Sequence, residues 1–161
     1  MKKVSNLLFL IIVVASIVNL GCSKSYIPAK IEGTAMLPSL KDGDKVLVEE
    51  NVSEIKRGEV IFFHYPKDTT RLYFKRVVGL PNETISILNG KVFINDLELD
   101  EPYLDQTYNQ AKSNRPPIKV PARSYFVLGD NRDNSSDSRY WGTVKEELIV
   151  GRYYFTYWNS K

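Results

Sequence analysis

Lys75 is the side chain of this sequence best placed to act as a general base. It lies in an apolar run, residues 72–78 (LYFKRVV), in which β alternation would put Tyr73 and Val77 on its own face. An ammonium in such surroundings loses hydration, and its pKa falls toward the range in which the neutral amine can accept a proton. The alternative is a surface lysine whose stem covers apolar side chains. Because His64 is the only histidine, a Ser-His-Asp triad would have to be built on that residue alone.

A polar stretch, residues 129–142 (GDNRDNSSDSRYWG), is the second place where chemistry could be organised; it is called the 129–142 segment below. Its aspartates and arginines could form a stiff network of ion pairs and hydrogen bonds. These residues are Asp130, Asp133, Asp137, Arg132 and Arg139. A surface turn is the alternative, because aspartate, asparagine and serine are common turn residues.

Short runs of β-branched and aromatic residues dominate the rest of the chain and predict strands. These runs are 45–48, 59–63, 72–78, 84–88, 91–94, 124–128 and 148–157. Asn89-Gly90 predicts a hairpin closed by a type I′ turn. Residues 105–121 are polar, contain three prolines and predict a long loop, and residues 144–148 predict a short helical turn. The predicted fold class is mainly β, a single antiparallel β domain.

Residues 1–22 are interpreted as an export signal or membrane anchor, and residues 23–161 as the β domain. A basic start precedes an apolar run at positions 7–18, which is shorter than the about 20 residues of a comfortable membrane span. Leu20-Gly21-Cys22 resembles the cleavage box of bacterial lipoproteins, in which the cysteine is lipidated, although Asn19 stands where an aliphatic residue is expected. We therefore expect a domain on the extracytoplasmic side of the bacterial cytoplasmic membrane, held either by an anchor or by a lipid on Cys22.

The composition excludes several classes of protein. One cysteine and one histidine leave no disulfide framework and no zinc cluster, and we expect no cofactor and no metal. The formal net charge of +3 falls to +1 once Lys2 and Lys3 are set aside, because 20 basic side chains then face 19 acidic ones. This balance gives no reason to expect nucleic acid as a partner.

Three segments, in this order, resemble the sequence boxes of the bacterial type I signal peptidases: residues 33–44 (GTAMLPSLKDGD), residues 73–81 (YFKRVVGLP) and the 129–142 segment. The resemblance covers the chain from about Ile31 to Tyr157. Members of that family are serine proteases with a Ser-Lys dyad, and they remove signal peptides from exported proteins. The resemblance therefore implies a hydrolase whose partners are the signal peptides of exported preproteins and the bacterial membrane. It also implies an apolar substrate groove that includes Met36 and Leu37.

The same resemblance implies roles for residues of the two later segments. Lys75 corresponds to the general base of the dyad, and Ser135 would hydrogen-bond its amine and orient it. Asp137 would pair with Arg139, and a pairing of Asp137 with Arg76 is a further option. Such contacts would hold the strand of the base against the loop and perform no bond-making.

Ala35 is the departure from the family pattern. Members of the family have Gly-x-Ser-Met-x-Pro, whose serine attacks the scissile carbonyl, whereas residues 33–38 read GTAMLP. A methyl group has neither a lone pair nor a proton to give, so no attack can come from position 35. Thr34 would need a backbone rearrangement, because its side chain points to the other side of an extended segment, and Ser39 would need one as well.

Two functions from different classes remain. The first is a signal peptidase I-type serine endopeptidase, impaired by Ala35 or working through another nucleophile; an engineered serine-to-alanine change is a further explanation of Ala35. The second is a non-catalytic, membrane-tethered homologue that binds signal-peptide-like segments by strand addition or assists another protease. A self-cleaving repressor-type domain shares the Ser-Lys logic, but the export segment and the 129–142 segment argue against it. The missing nucleophile favours an inactive protein.

Overall fold

The computed structural model describes residues 24–160, and these contain eleven β-strands, one α-helix and two 3-10 turns. The strands are β1 (Tyr26–Lys30), β2 (Lys45–Glu50), β3 (Val60–Tyr65), β4 (Asp68–Gly79), β5 (Thr84–Leu88), β6 (Lys91–Ile94), β7 (Leu97–Glu98), β8 (Arg115–Lys119), β9 (Ser124–Leu128), β10 (Val144–Lys145) and β11 (Ile149–Trp158). The helix α1 is Ser138–Trp141, and the 3-10 turns are Gln106–Tyr108 and Glu146–Leu148.

The strands form two antiparallel sheets. The larger sheet has seven strands in the order β1-β2-β11-β3-β4-β9-β10, and the smaller has four in the order β7-β6-β5-β8. Every neighbouring pair runs antiparallel. The prediction of a mainly β, antiparallel fold is therefore confirmed. Strand β4 pairs with β3 on one side and β9 on the other, so it lies inside the larger sheet.

The N-terminal segment predicted over residues 1–22, with Cys22, lies outside the described residues. Between residues 24 and 160 there is no helix long and apolar enough to cross a membrane.

The hairpin predicted from Asn89-Gly90 is present. Strands β5 and β6 pair with Leu88 opposite Lys91, which leaves a two-residue turn between them. Both turn residues have positive φ, 51° at Asn89 and 82° at Gly90, as a type I′ turn requires. Asparagine and glycine tolerate this conformation better than other residues, so the turn fixes the register of the smaller sheet.

The predicted long loop over residues 105–121 is wrong in part. Residues 115–119 form β8, which pairs with β5, and Gln106–Tyr108 form a 3-10 turn. Pro116 and Pro117 lie within β8 but do not prevent pairing, because β8 is an edge strand of the smaller sheet. A strand at an edge needs hydrogen bonds on one side only, and a shift in register between Ile85 and Ile87 accompanies the prolines.

The helical turn predicted over residues 144–148 is also shorter than expected. Val144 and Lys145 form β10 and pair with Tyr125 and Ser124, so only Glu146–Leu148 is helical. The α-helix lies instead at Ser138–Trp141, inside the 129–142 segment. Asp137 caps its N-terminus, because the carboxylate accepts a hydrogen bond from the Arg139 backbone N–H.

Alternate residues of β3 enter two different cores, which explains why this strand is a continuous apolar run. Val60 and Phe62 lie in one cluster with Phe74, whose ring stacks on Phe62 at a centroid distance of 4.4 Å. Ile61 and Phe63 lie in a second cluster on the other face. A strand buried on both faces has no solvent side, so its sequence lacks the usual alternation of apolar and polar residues.

A third cluster joins the two sheets. Its members are Val78, Ile85, Ile87, Val92, Ile94, Val120, Phe126 and Leu128. Gly79, the last residue of β4, lies at this junction. A Cβ at Gly79 would lie 2.7 Å from Ile85 Cδ1 and 2.9 Å from Phe126 Cβ, closer than side chains approach one another. The absence of a side chain at Gly79 therefore allows the sheets to meet.

The change Gly79→Ala should lower the free energy of unfolding by about 1–3 kcal/mol, because the added methyl group overpacks this junction. Urea unfolding followed by fluorescence measures the loss. In an Ile85→Ala background the same change should cost clearly less, since most of the obstructing side chain is gone. An equal loss in both backgrounds would contradict the packing explanation.

Candidate active site

Lys75 lies in the middle of β4, opposite Ile61 of β3, and only 5% of its surface is exposed. Its ammonium donates a hydrogen bond to the Phe74 carbonyl oxygen at 3.0 Å and lies 5.2 Å from the centre of the Tyr73 ring. Burial lowers the pKa of Lys75 to about 8, although the charges of Asp137 and Asp130 act in the opposite direction. A substantial fraction of the amine is therefore neutral in mildly alkaline water, as a general base requires.

The 129–142 segment supplies the two carboxylates whose charges reach Lys75. Asp137 is fully buried and pairs with Arg139, whose Nε and Nη2 each donate to it at 2.8 Å. It also accepts a hydrogen bond from the Gly129 backbone N–H at 3.1 Å. Asp137 therefore ties the end of β9 to the start of α1 and fixes the shape of the segment.

Arg76 pairs with Asp130 rather than with Asp137, which corrects the pairing that the sequence left open. Its Nε donates to Asp130 at 2.8 Å and its Nη2 at 2.5 Å, and the carboxylate is fully buried. Arg76 neighbours Lys75 on β4, so strand alternation directs the two side chains to opposite faces. The guanidinium donates further to the Gly58 carbonyl oxygen at 2.6 Å. Asp130 thereby joins the 129–142 segment to the strand of Lys75.

Ser135 and the 33–44 segment both lie close to Gly129. A Cβ at Gly129 would lie 2.5 Å from the Ala35 carbonyl oxygen and 2.5 Å from Ser135 Cβ, and it would overlap Ser135 Oγ. Only glycine leaves room for this approach. Ser135 Oγ is buried and has no hydrogen-bond partner among the described residues, while Lys75 donates to Phe74. The expected hydrogen bond from Ser135 to Lys75 is thus not made in this structure, and the orienting role of Ser135 stays a prediction.

The 33–44 segment begins as a turn, so the prediction of an extended backbone at Thr34 is wrong. The Leu37 backbone N–H donates to the Thr34 carbonyl oxygen at 3.2 Å. Asn131 N–H donates to the Ala35 carbonyl oxygen at 3.1 Å, and Asn134 Nδ2 donates to Thr34 Oγ1 at 2.9 Å. The two asparagines of the 129–142 segment therefore hold the turn at Ala35 in place.

The remaining predicted site residues lie in different surroundings. Met36 is 2% exposed and belongs to the cluster that contains Val60, Phe62 and Phe74, whereas Leu37 is half-buried. Their place in a substrate groove stays a prediction. Sequence reasoning assigned no role to Gly129, Asn131 or Asn134. The polar composition of the segment indicated that such contacts exist, but it could not say which group each side chain meets.

The family model for signal peptidases, peptidase S26, matches residues 2–158. The chain belongs to this family. It is 38% identical over 144 residues to a signal peptidase I of Leptolyngbya laminosa, covering 83% of this chain and 67% of the relative. It is 35% identical over 161 residues to signal peptidase I U of Bacillus subtilis, covering 93% and 86% of the two chains.

The crystal structure of a signal peptidase I from Enterococcus faecalis is similar to this fold. The two structures superpose with a TM-score of 0.54 at 32% identity, over 63% of this chain and 98% of that one. Both the sequence comparisons and the fold therefore place this chain among the type I signal peptidases.

The change Lys75→Met should stabilise this signal peptidase I-type domain at neutral pH, and the gain should disappear in alkali. The unfolded chain holds the lysine proton up to about pH 10.5 and the folded chain releases it near pH 8, so the unfolded chain binds more protons between these values. Stability of the unchanged chain therefore rises with pH across that window. At pH 7 the lowered pKa corresponds to a penalty of about 3 kcal/mol, which the methionine removes.

Urea unfolding of both chains between about pH 7 and 10.5 measures this difference. Lys145→Met is the control, because that lysine is exposed and its pair with Glu147 should contribute under about 1 kcal/mol. A difference between the Lys75→Met and unchanged chains that stays constant over the window would contradict the burial of a destabilised ammonium.

Proposed function

We propose that this chain is a signal peptidase I-type domain that binds signal-peptide-like segments of exported preproteins but does not cleave them. The observation that supports this is the occupant of position 35. Ala35 stands where the family has its nucleophilic serine, while the base, its strand and the 129–142 segment are retained. Nucleophilic attack requires an atom with a lone pair, such as oxygen, sulfur or nitrogen, and a methyl group has none. In a well-studied serine protease, removal of the nucleophile lowers turnover by about 10⁶-fold.

The retained part of the site supports descent from an active peptidase. A lysine buried this deeply costs stability, and its lowered pKa suits proton transfer rather than folding. Asp130 keeps the 129–142 segment next to the strand of that lysine through its buried ion pair with Arg76, and the buried Asp137–Arg139 pair fixes the shape of the segment itself. On this proposal the absence of a hydroxyl group at position 35 is what prevents cleavage, which makes the proposal testable by reversion.

The hydroxyl groups nearest to Ala35 in sequence are poor substitutes for the serine. Thr34 Oγ1 accepts a hydrogen bond from Asn134, and Ser39 Oγ accepts one from Arg76 at 3.2 Å. Arg76 lies on the opposite face of β4 from Lys75, so a hydroxyl bound to it faces away from the base. These contacts favour the non-cleaving function over a peptidase with an unorthodox nucleophile.

Binding without cleavage suggests a role beside another protease. A peptide that adds as an extended strand next to the 33–44 segment would be held by backbone hydrogen bonds and by pockets for alternate side chains. Such a domain could retain signal peptides or present them to an active peptidase. Its place would be the extracytoplasmic face of the bacterial cytoplasmic membrane, where residues 1–22 or a lipid on Cys22 would hold it.

The change Ala35→Ser should restore cleavage of a preprotein by the full-length chain in detergent. The unchanged chain and an Ala35→Gly control should show none, and the double variant Ala35→Ser/Lys75→Ala should be inactive. The rate of Ala35→Ser should rise about tenfold per pH unit below pH 8 and level off above it, because the neutral amine is the base. Gel analysis of the mature product measures each rate.

Two results would contradict the proposed function. The first is Lys75-dependent cleavage by the unchanged chain, which would reveal a nucleophile other than position 35. The second is failure of the unchanged chain to bind a fluorescent signal peptide in an anisotropy titration. A revertant that binds the peptide but cannot cut it would show that more than one hydroxyl group has been lost.

Lipidation of Cys22 is expected to be visible as incorporation of a labelled fatty acid in a bacterial host. Cys22→Ala should abolish the label, and Cys22→Ser should as well, because neither side chain forms the thioether. Labelled protein should also be shorter at its N-terminus than the unlabelled Cys22→Ala variant. Absence of label from the unchanged chain would contradict lipidation and favour an uncleaved anchor.

A further inference from the structure

A turn just before the 3-10 turn at Gln106–Tyr108 contacts two arginines next to the candidate site, Arg76 and Arg132. Residues 101–104 form a β-turn with Pro102 at its second position, and Leu104 N–H donates to the Glu101 carbonyl oxygen at 3.1 Å. The turn brings the side chains of Glu101 and Tyr103 together, and the Tyr103 hydroxyl donates to the Glu101 carboxylate at 2.6 Å. We call this pair of side chains the bracket.

Glu101 pairs with Arg132 of the 129–142 segment. Both side chains are more than nine-tenths buried. Arg132 Nη1 donates to Glu101 Oε2 at 3.2 Å, and Arg132 Nη2 donates to Glu101 Oε1. Arg132 Nε also donates to the Gly129 carbonyl oxygen at 3.0 Å. Arg132 therefore connects Glu101 to Gly129. Gly129 is the residue that has no side chain and so leaves room for Ala35 and Ser135.

Tyr103 covers Arg76, the neighbour of Lys75 on β4. The guanidinium carbon lies 4.1 Å from the centre of the Tyr103 ring, a distance typical of stacking and of a strong cation–π contact. The same guanidinium is the partner of Asp130. The ring therefore closes off the Arg76–Asp130 pair from one side, and burial raises the pKa of Tyr103, so its hydroxyl stays a donor to Glu101.

We propose that Glu101 and Tyr103 are positioning residues, which keep the 129–142 segment seated against the strand of Lys75 by holding Arg132 and Arg76. Glu101 pairs with Arg132 of the 129–142 segment, and Tyr103 stacks on Arg76 of β4. The hydrogen bond from Tyr103 to Glu101 joins these two contacts. Neither residue touches Lys75. They act on it through the two arginines, and this inference deepens the proposed function because it concerns the same site.

The electrostatic surroundings of Lys75 make this action measurable. Asp137 and Asp130 face it from the 129–142 segment, the Tyr73 ring and the Phe74 carbonyl face it from its own strand, and Ile61 lies opposite on β3. If the bracket is lost, the segment separates from the strand and water reaches the ammonium. Burial is the larger of the opposing effects, so rehydration outweighs the loss of the two carboxylate charges and raises the pKa of Lys75 back toward its ordinary value of 10.5.

The experiment is an NMR titration of the Lys75 side chain in the full-length chain, with labelled lysine and with the signal assigned by its absence in Lys75→Arg. The unchanged chain should titrate near pH 8. Tyr103→Leu and Glu101→Gln should each raise this midpoint by about half a unit or more. Tyr103→Phe, which keeps the ring over Arg76 and loses only the hydroxyl, should have a smaller effect than Tyr103→Leu.

Glu98→Gln is the matched control, because it makes the same carboxylate-to-amide change in the exposed pair of Glu98 with Lys91. It should leave the titration of Lys75 unchanged. Urea unfolding of every variant separates a loss of stability from a change at the site. If Tyr103→Leu does not fold, Glu101→Gln and Tyr103→Phe decide the question.

The inference is overturned if Glu101→Gln and the Tyr103 variants unfold more easily while the Lys75 midpoint stays where it is in the unchanged chain. The bracket would then stabilise the fold without positioning the site. Because this readout requires neither cleavage nor a bound peptide, failure of the Ala35→Ser revertant or of peptide binding would not affect it. The two proposals can therefore fail separately.

Discussion

The burial of one ammonium, that of Lys75, is the constraint on which the rest of this site depends. A lysine inside an apolar sheet is unfavourable as a cation, so the fold must either neutralise it or supply opposite charge nearby. In this chain the ammonium is partly neutralised, and two carboxylates supply opposite charge nearby. Burial brings the pKa of Lys75 to about 8, and Asp137 and Asp130 keep it from falling further. The lysine therefore changes its protonation state near pH 8.

The same two carboxylates organise the surroundings of the lysine. Asp130 is paired with Arg76 and Asp137 with Arg139, and these buried pairs are better understood as fixing geometry than as adding stability. The Asp130–Arg76 pair joins the 129–142 segment to the strand of Lys75, whereas both partners of the Asp137–Arg139 pair lie within the segment. The turn at Ala35 is held to the 129–142 segment by the hydrogen bond from the Asn131 backbone N–H and by its close approach to Gly129. All three parts of the site are thus connected, and the proposed loss of cleavage rests on the methyl group at position 35.

Part of this arrangement could be predicted from the sequence. Strand alternation placed Lys75 and Arg76 on opposite faces, and Asn89-Gly90 marked a hairpin, because both features follow from local backbone geometry. The choice of Asp130 over Asp137 as the partner of Arg76 could not be predicted, since a loop can present either carboxylate to a given guanidinium. The strand at Pro116 and Pro117 was missed because proline is tolerated only at an edge, and sequence does not reveal which strand is the edge.

Intact-mass spectrometry after incubation with an excess of signal-peptide substrate tests the central claim most directly. The measurement is made at about pH 9, where the Lys75 amine is mostly neutral, and the reaction is stopped in acid so that an ester survives. The account predicts no added mass on the unchanged chain, and an acyl group at position 35 in A35S. An acyl group on the unchanged chain, mapped by peptide sequencing to Thr34, Ser39 or Ser135, would contradict it.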